Sequence, residues 1–122
     1  MKFTNNEIYN YTRALLDAFQ DGEQRLPIKV NFYLQKNKNT LVALAQDIEK
    51  ARLEIAQHYG VLDEENQQYS IPNEKLAEAS KELEDLFNLE QEVDIAKIKI
   101  DSLSDDLTMT TAQMEAIMFM ID

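Results

Sequence analysis

Residues 26–59 read LPIKVNFYLQKNKNTLVALAQDIEKARLEIAQHY, and the period of their apolar residues decides the fold. Val30, Leu34, Leu41, Leu44, Ile48, Ala51, Ile55 and Tyr59 recur at steps of four and three once polar Asn37 fills the gap, which is the spacing of a packed helical seam. Pro27 suits the first helical position, because its missing N–H is not needed there, and Gly60 suits a left-handed residue after the last turn. A strand competes over residues 28–35, where Ile28, Val30, Phe32 and Leu34 alternate with Lys29, Asn31, Tyr33 and Gln35; Thr40 would then cap a shorter helix. The seam passes through Val30 and Leu34 without a change of phase, which favours the longer helix. On that reading Asn37 faces the core, where it either bonds a partner or marks a break in packing, and Asn37→Leu is expected to be neutral or stabilising.

Outward from this helix, the chain begins with a doubly marked helix start. Thr4 and Glu7 have the spacing of a capping box, and Phe3 and Ile8 that of a hydrophobic staple. Ile8, Tyr11, Leu15 and Phe19, with Leu16 beside them, form an apolar stripe, and Asp21-Gly22 is the expected stop before a short turn to an antiparallel neighbour. After Gly60, VLDEENQQYSIP places short apolar ends around a polar centre, as in a hairpin or an ordered loop. Pro72-Asn73 then opens a third helix to about Glu90, with Leu76, Ala79, Leu83, Leu86 and Phe87 inward. Val93, Ile95, Ile98 and Ile100 alternate with a slip at Ala96-Lys97, which predicts a short strand or extended arm. Thr110 and Gln113, with Met109 and Met114, repeat the box and staple and open a last helix through Ile121.

A chain of 122 residues with two glycines and two prolines has few places to turn, so the expectation is one mostly α domain over 1–122. It would be a small helical domain with a long central helix, antiparallel helix pairs and at most a short β-hairpin or arm. There is no cysteine, which removes disulfide and thiolate chemistry, and no apolar run that would span a bilayer or serve as a signal peptide. Cytoplasm is the expected compartment.

Charge is unevenly distributed. Residues 1–60 carry seven acids against eight bases, whereas residues 61–122 carry sixteen acids against four bases. A net charge of −11 on such a chain disfavours direct contact with nucleic acid or anionic membrane and attracts a basic protein surface. The candidate partner-binding residues are Glu78, Glu82 and Asp85, which stack along one side of the third helix, and the acidic turn Asp63, Glu64 and Glu65. The competing explanation is a solvated face that keeps the protein soluble. Met118, Phe119 and Met120 are consecutive, so one helix face cannot bury all three; they are the candidate oligomer interface, and a homodimer lost on Phe119→Asp is the expectation.

Chemistry is sparse. His58 is the only histidine, and Glu54 lies one turn before it, but no further ligand is paired by spacing, so no metal or cofactor is expected. Ser70, Ser80, Ser102 and Ser104 have no histidine placed to activate them. Asp63-Glu64-Glu65-Asn66 supplies oxygens but lacks the glycine and closing glutamate of a calcium loop, and no glycine-rich phosphate loop is present.

The order of L-P-I-K-V, a K-N pair, a long helix ending A-R-x-x-I-x-x-x-Y-G, an acidic turn D-E-x-N, a Glu-rich helix, an I-x-x-I arm and a terminal F-M-I resembles that of small phage and prophage proteins of an uncharacterised family from Gram-positive hosts. The likeness covers Leu26 to Ile121. It implies a phage origin and transfers no functional residue. Two functions remain open: a non-enzymatic inhibitor that occupies the basic, nucleic-acid-handling surface of a host defence protein, or a structural or tail-assembly protein of the virion.

Overall fold

The computed structural model describes residues 1–20, 26–103 and 108–122. Its centre is α2, a single helix from Ile28 to Tyr59. The strand alternative at its start fails on burial: Val30 and Leu34 are in the core, while Ile28 and Phe32 are 83% and 63% exposed, a four-residue helical period. Thr40 lies within the helix, its hydroxyl donating to the Lys36 carbonyl (3.1 Å), and caps nothing. Pro27 precedes the first helical residue and offers its carbonyl to Asn31 N–H (2.9 Å).

Packed antiparallel on α2 is α1 (Asn5–Ala18), opened by the expected capping box: Thr4 Oγ1 accepts from Glu7 N–H (3.1 Å) and Glu7 accepts from Thr4 N–H (2.9 Å). The stop expected at Asp21-Gly22 lies outside the described residues. Beyond α2 come a hairpin, β1 (Val61–Asp63) with β2 (Gln68–Ser70), and then α3 (Asn73–Asn88), which returns along α2. Gly60 differs from its expected role: its φ is −97°, so it is not left-handed. It is needed for space, because a Cβ there would lie 2.5 Å from the Ala56 carbonyl oxygen.

Of the two readings of residues 93–100, a short strand or an extended arm, the arm is the one formed. Strand pairing is made by Glu90–Glu92 (β3) with the N-terminal strand Lys2–Thr4, which precedes α1, antiparallel with Phe3 opposite Gln91. Three residues are too few for their period to register in a sequence. The alternation of Val93, Ile95 and Ile98 arises from an extended chain laid over the core, joined at Ile98 to Ile121 by a parallel bridge, while Ile100 is 62% exposed. The last helix is also shorter than expected: α4 covers Thr111–Ile117, and Met118–Met120 tighten into a 3₁₀ turn. Phe3, Ile8, Leu15, Val30, Leu34, Leu41, Val93, Ile98, Ile117 and Met120 form one core between α1, the first half of α2 and the C-terminal third. Past Ile48, no residue of α2 is buried, so the end of α2, the hairpin and the start of α3 form an arm with little core of its own.

Candidate functional site

Each of the six candidate carboxylates, Asp63, Glu64, Glu65, Glu78, Glu82 and Asp85, is exposed; all but Asp85, which lies in the last turn of α3, are on this arm or at its border. The fold gathers them in two groups. At the tip, Asp63 accepts from Glu65 N–H (3.0 Å) and Asn66 accepts from Gln68 N–H (3.1 Å), so side chains of the acidic turn hold its backbone, with Gln67 left-handed at φ 56°. Along α3, Glu78 and Glu82 lie near Tyr59 of α2. Its phenol is held above the usual range, first by desolvation, then by its hydrogen bond to Glu82 and the nearby charges of Glu82 and Glu78. Asp85 lies about 18 Å along α3 from Asn73, at 1.5 Å per residue, and so is remote from the tip. Among the described residues none of these six carboxylates is in an ion pair. The ion pairs among the described residues are Lys2–Glu90, the N-terminus with Glu92, and Arg52–Glu49 on α2, where Arg52 holds the Glu49 carboxyl below its usual range.

The three consecutive residues of the candidate interface separate. Met120 is fully buried, which excludes it from any surface, and Phe119 stacks on Tyr11 (centroids 4.4 Å) and meets Phe3 edge-on (5.9 Å). Only Met118 is exposed, at 61%. The tightening of the chain into a 3₁₀ turn after Ile117 is what turns Phe119 and Met120 back to the core, and nothing in the residue order signals it.

His58 is exposed and its ring meets Tyr59 edge-on; among the described residues no hydrogen bond joins it to a serine, and no cluster of three or more His, Cys, Asp or Glu could hold a metal. Ser104 lies outside the described residues. A groove of about 490 Å³ between α1 and α4, floored by Ala14, Ala18, Ala112 and Ala116 and edged by Asp17 and Glu115, was not signalled by the sequence, since neither helix alone contains it. No described helix is long and apolar enough to cross a membrane. Comparison with protein-family models, curated proteins and solved structures finds no match.

Proposed function

We propose that this is a non-enzymatic protein-binding protein of phage or prophage origin, acting in the host cytoplasm, which presents its acidic arm to a basic, nucleic-acid-handling surface of a host protein such as a defence nuclease. The observation that supports this reading is the acidity of α3 and the hairpin: Glu78, Glu82 and Asp85 repeat along one side of α3, and Asp63, Glu64 and Glu65 form a second group at the hairpin tip, all exposed and without an ion-pair partner among the described residues. Like charges at this spacing weaken a helix by about 0.2–0.5 kcal/mol per pair, a cost that a cationic partner would remove. Such a surface would raise the encounter rate with a basic partner and make binding depend steeply on salt.

Affinity purification of the tagged protein from infected or lysogenic cells tests this reading. The expected result is a basic nucleic-acid-handling protein that elutes at high salt and is lost from the Glu78→Gln, Glu82→Gln, Asp85→Gln variant. Retention by the variant, with affinity flat in salt, would reject the acidic arm as the binding surface. Recovery of a tail protein would instead favour assembly of the virion, the second reading, for which the exposed Met118 at the C-terminus is available.

A further inference from the structure

The outer side of α2, opposite Val30, Leu34, Asn37 and Leu41, is uncovered along its whole length. It runs from Ile28 and Phe32 through Gln35, Asn39, Ala43, Gln46 and Lys50 to Leu53, every one exposed, over a helix about 48 Å long at 1.5 Å per residue. A large apolar residue stands near each end, Phe32 at 63% and Leu53 at 42% exposure, with small Ala43 between them.

Charges along one flank of this stripe are mirrored. Lys29, Lys36, Asp47 and Glu54 follow at steps of seven, eleven and seven residues, which return to within about 20° of the same side of a helix. Both lysines precede the helix midpoint and both carboxylates follow it. Lys29 and Glu54 are equidistant from a point between Leu41 and Val42, and so are Lys36 and Asp47; Phe32 and Leu53 are equidistant from a point one residue further on. All four charged side chains are exposed and, among the described residues, in no ion pair. A twofold axis perpendicular to α2 near Ala43 reverses the helix end for end and brings each flank against the same flank of the other copy. Lys29 then faces Glu54 of the second copy, Lys36 faces its Asp47, and Phe32 packs on its Leu53. The one-residue offset between flank and seam is what antiparallel packing of two helices produces. In a parallel pair this flank would face the opposite flank of the second copy, and the mirrored order of its charges would match nothing.

We propose that the outward face of α2 is a docking surface for a second copy of this chain, in an antiparallel, isologous dimer closed by Phe32–Leu53 contacts and by the mirrored lysine–carboxylate pairs. The apolar contacts supply most of the affinity, because exposed ion pairs contribute little individually, and the charges set direction and register. This surface is separate from the acidic side of α3 and from Met118.

Light scattering at micromolar concentration should give twice the 14.2 kDa chain mass at low salt, shifting toward monomer as salt rises. Phe32→Asp should be monomeric with an unchanged circular dichroism spectrum. Lys29→Glu with Lys36→Glu should be monomeric, as should Asp47→Lys with Glu54→Lys, because each has a flank of one sign, and an equimolar mixture of the two should recover the dimer mass. The chain has no cysteine, so single introduced thiols report orientation: Ala43→Cys should oxidise to a linked dimer, whereas Gln57→Cys, remote from its own copy, should not. A monomeric wild type, a dimer that survives Phe32→Asp, a mixture that fails to associate, or self-linking through Gln57→Cys would each overturn the proposal.

Discussion

The side chain of Asn37 makes with Ala96 both hydrogen bonds that a neighbouring strand would: its Oδ1 accepts from Ala96 N–H (2.7 Å) and its Nδ2 donates to the Ala96 carbonyl (2.8 Å). The same Nδ2 lies 3.3 Å from the sulfur of Met120. One fully buried amide on α2 thus replaces a missing β-partner at the point where the alternation of residues 93–100 slips.

That pairing reverses the expectation for Asn37→Leu. Leucine would leave both backbone groups of Ala96 without their partner, at about 1–3 kcal/mol for each group cut off from water. We expect a loss of about 2–4 kcal/mol in urea denaturation. A midpoint equal to or above wild type would show that the core can close over Ala96 without Asn37.

Phe119 and Met118 should behave oppositely. Phe119→Asp places a charge against Tyr11 and Phe3 and should destabilise the monomer itself by about 3 kcal/mol or more, rather than only dissociate a dimer. Met118→Asp, at a residue 61% exposed, should stay within about 0.5 kcal/mol of wild type. Thermal melts of the two variants side by side check this, and equal losses would contradict it.

Gly60→Ala should cost about 1–3 kcal/mol, since the new Cβ would meet the Ala56 carbonyl oxygen at 2.5 Å and the backbone must shift. Had the residue been left-handed, asparagine would have rescued it; with φ at −97°, Gly60→Asn should be at least as damaging as alanine. Chemical denaturation of both variants tests the steric explanation.

Replacing Glu78, Glu82 and Asp85 by glutamine should leave stability equal or raise it by up to about 1 kcal/mol at low salt, through relief of repulsion along α3. The gain should shrink as salt screens the charges. A loss of stability would show that the Glu82–Tyr59 contact outweighs that repulsion.

The Glu49–Arg52 pair predicts a small pH dependence. Because Arg52 depresses the folded-state pKa of Glu49 below 4.5, the pair's contribution is present above that pH and is lost as pH falls through the folded value. Both side chains are over 40% exposed, so Glu49→Gln should cost no more than about 0.5 kcal/mol at neutral pH and nothing once wild-type Glu49 is protonated. Urea midpoints of the two proteins across pH 3–7 should converge at the acid end.

Sequence by itself determined the parts of this protein that depend on local period and local hydrogen bonds. The seam from Val30 to Ile48 set α2 as one helix, and Thr4–Glu7 and Thr110–Gln113 set two helix starts, because each cap is satisfied within four residues. The acidic arm was legible as a charge imbalance for the same reason. Tertiary structure alone decided whatever joins residues distant in the chain. Asn5 donates to the Leu86 carbonyl (2.8 Å) and accepts from Gln91 (2.6 Å), which fixes the N-terminal strand against β3; Gln113 donates to the Ala18 carbonyl (2.9 Å), which ties α4 to α1. In a linear reading these amides look like ordinary surface polar residues, and only the close approach of a distant backbone gives them their partners. The same holds for Asn37, which the seam placed in the core but whose sign of contribution depended on Ala96, and for Phe119 and Met120, which the 3₁₀ turn returns to the interior. A buried polar group stabilises or destabilises according to whether its partner arrives, and that is a property of the folded chain.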